Sequence, residues 1–346
     1  MQWSTYKIFF LFFLLISTLI SISSNSWFSA WMGLEINLLS FIPLMINSKN
    51  QLSTEASLKY FLIQAMASSL LLYFILFFYF NVNYVFMMEF FKTYKSIFIS
   101  IPLMMKVGVA PFHFWFPTVM EGLSWMNSFI LMTWQKIAPM ILLFETIQFN
   151  NLSLYMYTFI LMSIVSGSLG GLNQTSLRKI MAFSSINHMG WMLFALIYSK
   201  LLWLTYFIIY SFLTFSITVI FFYMNLFYIS QMYMIFMNKM LLKVYFMINF
   251  LSLGGLPPFL GFAPKFIVAE AMMYMNYYFL LTIFIIMNLI TLYFYLRISF
   301  SAFLIKSANN YWNKNFTFSN NLLFLTSLLT FLSIEGMINF YMFFYK

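Results

Sequence analysis

Cysteine and aspartate are missing from all 346 residues, and charge of either sign is scarce. Without cysteine there can be no disulfide, no cysteine-held iron–sulfur cluster and no thiolate metal site. Charged residues make up 7% of the chain, against about 25% in a soluble protein. So few charges cannot cover a water-facing surface, which makes lipid the solvent. Only two histidines are present, His113 and His188, and neither lies in a cysteine motif, which argues against a haem site. No Walker or dinucleotide fingerprint occurs, so the chain shows no nucleotide site of its own. The formal charge of +10 is spread between apolar runs with no basic face. That pattern fits the positive-inside effect of membrane proteins better than a nucleic-acid binder.

What is present is apolar and aromatic: 63% hydrophobic residues, 48 Phe and 29 Met. The bias towards Phe, Met, Asn, Lys, Ile and Tyr resembles translation from a very A/T-rich genome, as in animal mitochondria, and mutation pressure alone accounts for it. The chain enters an apolar run at Ile8 to Ile20 with no cleavage motif and no Arg-rich leader. The expectation is that it is made where it works or that its first helix is its own signal.

A bilayer span needs about 20 apolar residues. That criterion predicts about eleven spans, over 8–24, 26–47, 57–80, 96–117, 122–147, 151–172, 178–199, 201–228, 242–274, 277–305 and 321–344. The connectors are short, as at Asn47–Asn50 and Ala308–Asn310, so one membrane domain is expected. Lys7, Lys49, Arg178, Lys179, Lys239, Lys243, Lys306 and Lys314 fall on one side; Lys92, Lys95, Lys200 and Lys346 fall on the other. The first side should be the inner one, with the N-terminus inside and the C-terminus outside.

Two spans are interrupted. The fourth contains Lys106-Val107-Gly108-Val109-Ala110-Pro111-Phe112-His113, and the ninth contains Gly254-Gly255-Leu256-Pro257-Pro258 and Pro264-Lys265. Proline removes an amide proton, so Pro111 is expected to free the Val107 carbonyl and Pro264 that of Leu260. Free carbonyls at membrane depth require a protein- or water-lined cavity. The breaks are five spans apart. They divide the chain into units 1–147 and 148–305, each of five helices broken at the fourth, followed by a C-terminal helix in 306–346. Two odd-numbered units are inverted in the membrane, a layout associated with transport near the midplane.

An ionisable residue inside a span costs about 2.5 kcal/mol or more and is a functional candidate by default. Glu35, Lys106, Lys136 and Lys265 all fall inside predicted spans. A carboxylate and several lysines make a plausible proton switch: Lys106 holds its proton near Glu35 and loses it when Glu35 withdraws, with Lys136 as acceptor. His113 and His188 are candidate proton relays or packing imidazoles. Ser40, Ser184 and Ser185 read as helix–helix glue, and Glu55 with Lys59 as interfacial anchors.

Several stretches carry a resemblance. They are Ser24-Asn25-Ser26-Trp27, Trp31-Met32-Gly33-Leu34-Glu35-Ile36-Asn37, Ser53-Thr54-Glu55-Ala56-Ser57-Leu58-Lys59-Tyr60-Phe61, Ala110-Pro111-Phe112-His113-Phe114-Trp115, Gly171-Leu172-Asn173-Gln174-Thr175-Ser176-Leu177-Arg178-Lys179 and Leu253-Gly254-Gly255-Leu256-Pro257-Pro258. In this order they resemble the subunit 2 family of animal mitochondrial NADH dehydrogenase, an antiporter-like membrane subunit of respiratory complex I. The resemblance implies an all-α polytopic fold of two inverted five-helix repeats, each with one discontinuous helix, plus a C-terminal helix. It implies that Glu35 and Lys106 form the charge pair of a first half-channel, that Lys136 is the central lysine and that Lys265 serves a second half-channel. It implies further that NADH oxidation and ubiquinone reduction, with FMN and the iron–sulfur clusters, reside in other subunits, and that this chain holds no cofactor. The expected setting is the mitochondrial inner membrane, N-terminus in the matrix and C-terminus in the intermembrane space. The expected partners are the other membrane-arm subunits and the lipid bilayer, cardiolipin included. A stand-alone cation/proton antiporter and a purely structural membrane subunit are the alternatives.

Overall fold

The computed structural model describes residues 5–47, 50–80, 88–148, 153–235, 240–304, 324 and 326–336. They fold into helices α1 (Thr5–Ser23), α2 (Trp27–Met45), α3 (Gln51–Phe80), α4 (Met88–Val107), α5 (Trp115–Gly122), α6 (Trp125–Met132), α7 (Trp134–Gln148), α8 (Ser153–Gly171), α9 (Leu177–Tyr198), α10 (Lys200–Met224), α11 (Ile229–Ile235), α12 (Met240–Gly254), α13 (Phe262–Tyr274) and α14 (Tyr278–Leu304). Residues 326–336 form a further helical segment. Among the described residues the only strand-like pairing is an isolated bridge between Ser176 and Tyr228. An all-helical architecture suits lipid, because a helix satisfies its backbone within its own segment. Seven helical stretches, Trp125–Ile147 among them, are long and apolar enough to cross a membrane.

The side chains of Lys92 and Lys95, all of Lys49, Lys239, Lys306, Lys314 and Lys346, and most of the expected span 321–344 lie outside the described residues.

The chain divides into two compact units, Met1–Met162 and Ser163–Lys346. In the first, α3 packs on α2, α4 and α5, and α4 packs on α7. In the second, α9 is the enclosed element: nearly every residue from Leu177 to Leu196 is buried, with Ser184, Ser185, Asn187 and His188 among them. By contrast, α1 buries only Leu14, Ser17, Thr18 and Ser21 and presents Phe9, Phe12 and Leu19 outward. An apolar outer face of this kind suits lipid.

Local chemistry sets the helix ends. The Ser26 hydroxyl caps α2 by accepting the Ser29 amide at 3.2 Å, and that of Ser199 caps α10 by accepting the Leu202 amide at 3.2 Å. Asn225, with φ of 51°, closes α10 at its other end. Serine hydroxyls inside the helices bond back to their own helix. Ser40 donates to the Asn37 carbonyl at 2.8 Å, Ser184 to Met181 at 2.8 Å and Ser185 to Ala182 at 2.7 Å. These serines donate within their own helices, and Ser184 and Ser185 also meet Tyr295 of α14 and Tyr210 of α10, the helix–helix contact expected of them.

Candidate functional site: buried lysines at two helix breaks

Both expected interruptions are present, but glycine makes them. The α4 helix stops at Gly108, which has φ of +80°. The Gly108 amide donates back to Met104 and Met105 at 3.0 and 3.2 Å, and the Val109 amide to Met104 at 3.1 Å. Gly255, with φ of +79°, ends α12 in the same way. Its amide donates to Leu251 and Ser252 at 3.1 and 3.0 Å, and the Leu256 amide to Leu251 at 3.3 Å. This is the glycine-terminated closure that a side chain at that φ would disfavour. The prolines are not the cause. Pro111 lies in the linker after the stop. Pro264 occupies the first turn of α13, where its missing amide breaks no bond, and the Leu260 carbonyl accepts the Ala263 amide at 3.2 Å.

The fifth expected span is also irregular, which the sequence reading missed. It divides at Thr133 into α6 and α7. The Thr133 hydroxyl donates to the Phe129 carbonyl at 2.8 Å, and the Lys136 amide bonds three residues back to Thr133 at 3.1 Å. Lys136 thus stands one turn beyond a local tightening of the helix, with Pro139 one turn further on.

In the first unit, Lys106 sits in the last turn of α4 and is 7% exposed; Lys136 on α7 is 2% exposed. Both line one cavity of about 20 Å³, enough to seat a water molecule. Its polar wall is Asn37, Tyr60, Gln64 and Gln135. These groups are tied to one another and to the break. Gln135 Nε2 donates to Asn37 Oδ1 at 3.0 Å, and the Tyr60 hydroxyl reaches Gln135 Oε1 at 3.5 Å. Gln64 Nε2 donates to the Lys106 carbonyl at 3.1 Å and Trp115 Nε1 to the Met105 carbonyl at 3.2 Å. The carbonyls orphaned at the end of α4 are therefore served by neutral side chains. Lys106 Nζ has no hydrogen-bond partner among the described residues. Lys136 Nζ lies 5.1 Å from the centroid of the Phe116 ring, a cation–π distance.

Glu35 is half-buried on α2. It interacts electrostatically with Lys106, yet the two do not form an ion pair within 4.0 Å among the described residues. Glu35 does not line the cavity; Leu34, Asn37 and Leu38 of the same helix do. His113 lies in the linker before α5, its ring stacked 4.4 Å from that of Phe114 and away from the cavity wall.

In the second unit, Lys265 stands in the first turn of α13 and is 4% exposed. Its Nζ donates to the carbonyls of Leu253 at 3.3 Å and Gly254 at 2.9 Å and to Asn288 Oδ1 at 2.6 Å. Here the lysine itself serves the orphaned carbonyls. Asn288, the amide partner on α14, had escaped the sequence reading. The signal was a polar side chain in the apolar run Ile285-Ile286-Met287-Asn288-Leu289-Ile290. His188 Nδ1 lies 2.9 Å from the Tyr206 hydroxyl. With Tyr206 and Tyr210 it lines a small cavity whose other wall is Leu253, Gly261 and Pro264 of the second break. Ser185 stands beside Tyr210 and Ser184 beside Tyr295.

Comparison with known proteins places this arrangement. The family model described as NADH:quinone oxidoreductase/Mrp antiporter, TM, matches residues 24–291. NADH-ubiquinone oxidoreductase chain 2 of Anopheles gambiae is 52% identical over 332 residues, covering 95% of each chain. The chain of that name from Locusta migratoria is 44% identical, covering 96% of this chain and 95% of its own length. Among solved structures, respiratory complex I from Thermus thermophilus with bound aureothin contains a chain that superposes with a TM-score of 0.83 at 20% identity, covering 97% of this chain and 79% of its own. The Mrp complex from Dietzia sp. contains one with a TM-score of 0.73 at 17% identity, covering 86% and 61%. The shared fold, the family model and the identity to the insect chains agree: this protein belongs to the NADH:quinone oxidoreductase/Mrp antiporter membrane family, within its NADH-ubiquinone oxidoreductase chain 2 branch.

Proposed function

We propose that this chain is a membrane-arm subunit of proton-pumping NADH:ubiquinone oxidoreductase and that it moves protons through its buried lysines. One observation carries the reading: Lys106 and Lys136, both nearly inaccessible, share one water-sized cavity beside a glycine-terminated helix break. A buried ammonium is costly, and two of them on one cavity repel each other. Packing alone gives no reason to keep both. The arrangement suits a group that accepts a proton and passes it on. A water in the cavity would meet Gln64, Gln135, Asn37 and Tyr60, which hold it in reach of both amines. Glu35, half-buried on α2, is the acidic group that interacts with Lys106. His188, held by Tyr206, and His113 are candidate relays on either side of the breaks in their own units.

The finer layout follows the family. The chain has about eleven spans in two inverted five-helix repeats, 1–147 and 148–305, with a C-terminal helix in 306–346. It holds no redox site and no cofactor. NADH oxidation, FMN, the iron–sulfur clusters and ubiquinone chemistry belong to other subunits. Its partners are the other antiporter-like subunits of the membrane arm and the surrounding lipid, cardiolipin included. It works in the mitochondrial inner membrane with its N-terminus in the matrix and its C-terminus in the intermembrane space.

The test is Lys106→Met in the assembled complex reconstituted into vesicles. Assembly and NADH oxidation should persist while protons delivered per NADH fall. An unchanged proton yield would refute the reading and leave the chain a structural member of the arm.

A further inference from the structure

The two lysines at the two breaks are ligated differently, and the difference points to a residue with no assigned role. An ammonium has three N–H donors and accepts nothing. At Lys265 all three find oxygen: Leu253 O at 3.3 Å, Gly254 O at 2.9 Å and Asn288 Oδ1 at 2.6 Å. Two of these are backbone carbonyls at the closed end of α12, where the helix dipole is negative, and they cannot turn away without undoing the Gly255 stop. The third is the side-chain amide of α14, carried on a separate helix. It is the shortest contact of the three and the only movable one. Thr291 steadies it, donating its hydroxyl to the Asn288 carbonyl at 2.8 Å and lying 3.4 Å from Oδ1.

We propose that Asn288 is a positioning residue for proton transfer at the second break: its amide oxygen completes a three-oxygen cradle that keeps Lys265 as an ammonium, and withdrawal of α14 or rotation of the amide lets the proton go. An amide turned by half a rotation presents Nδ2, a donor, to the ammonium. The cradle then changes from wholly attractive to partly repulsive with almost no change of shape. The neighbourhood holds little else that would set the charge. The titratable groups turned towards this break are His188 on α9, Tyr206 and Tyr210 on α10, and Tyr295 on α14, whose ring would lie 3.5 Å from a Cβ on Gly254. Glu270, on α13 itself, accepts from Tyr274 at 3.4 Å on another face of the helix. Glu335, on the segment 326–336, is exposed. Lys243 lies in the first turn of α12, at the end opposite the break, and Arg297 of α14 donates to the Leu172 carbonyl at 3.0 Å.

The proposal rests on the proton-pumping reading, and one set of variants separates the two. Lys265→Met, Asn288→Leu and Asn288→Asp are measured in the assembled complex in vesicles, as protons delivered per NADH against pH, with assembly read on native gels. Asn288→Leu removes one of three acceptors, so the proton leaves more readily and the alkaline limb of the profile should move down by about one pH unit. Asn288→Asp, nearly identical in shape, places a carboxylate on the ammonium and should move that limb up. Opposite shifts at normal assembly support the proposal, because a residue that only packed α14 would move both variants the same way or neither. If Lys265→Met lowers the yield while both Asn288 variants keep the native profile, Asn288 has no such role and the pumping reading stands. If Lys265→Met leaves the yield intact, the second break carries no protons and the proposal falls with it.

Discussion

Gly255→Ala and Gly108→Ala form a matched pair in which the same backbone strain is applied at the two helix breaks. Both glycines sit near φ of +80°, where an alanine costs about 1–2 kcal/mol. Their surroundings differ. A Cβ on Gly108 would lie 3.3 Å from Trp115 Cζ2 and 3.5 Å from Phe116, close to ordinary contact. A Cβ on Gly255 would lie 2.9 Å from Lys265 Cδ and 3.1 Å from its Nζ. The lysine stem must move by a few tenths of an ångström, and the contact to Leu253 is already 3.3 Å long. Losing one charge-assisted hydrogen bond costs about 1.5–3 kcal/mol. Gly255→Ala should therefore destabilise by about that much more than Gly108→Ala, and the excess should fall on proton movement. The assay is proton uptake per NADH in reconstituted vesicles, normalised to assembled complex, beside the thermal unfolding midpoint. The expected result is similar assembly for both, with the proton yield clearly lower in Gly255→Ala. Equal yields in the two variants would refute the coupling between the glycine stop and the lysine.

Other outcomes follow from single contacts. Asn127 Nδ2 donates to the Leu44 carbonyl at 2.7 Å near the end of α2, both groups buried; Asn127→Leu should cost about 1–3 kcal/mol, read as a lower unfolding midpoint. Gln64→Leu strips the Lys106 carbonyl of its partner and should lower both stability and proton yield, whereas Gln64→Glu should restore less than half of the yield because it cannot donate as an ionised acid. Glu55 and Lys59 are 3.8 Å apart with both side chains more than half exposed; Glu55→Gln should leave unfolding unchanged within error, and its midpoint should be insensitive to salt.

Much of this fold is legible from letters because lipid leaves so few options. Long apolar runs are read as helices, and most of the described helices overlap the expected runs, whereas α11 (Ile229–Ile235) falls between two of them and seven helical stretches meet the spanning criterion. The breaks were legible as well, since glycine and proline clusters interrupt only the fourth and ninth runs. Their cause was not. Proline chemistry is explicit in the sequence, whereas the helix stop depends on the φ of Gly108 and Gly255, and neighbouring glycines such as Gly254 are helical. The division at Thr133 left no trace, because a threonine that bonds its own helix reads like any other. Lys106, Lys136 and Lys265 stood out as charges in apolar runs, and all three are buried. Glu35 stood out equally, yet only its neighbours reach the cavity, because a one-residue step on a helix turns a side chain by about 100°. Asn288 was hidden by its type: a lone amide in a span is commonplace, and only the meeting of α14 with the end of α12 gives it an ammonium to hold.

The stretch 326–336 carries a further implication. The Leu260 amide, in the loop just past the Gly255 stop, donates to the Ser333 carbonyl at 2.9 Å. The hinge of one element is thus latched by another recruited some seventy residues downstream. A shortened product ending before that latch would keep every buried lysine described above and still lose the fastening of its second discontinuity. Damage near the tail of the coding sequence should therefore register as a leak or stall at Lys265, far from the lesion along the chain.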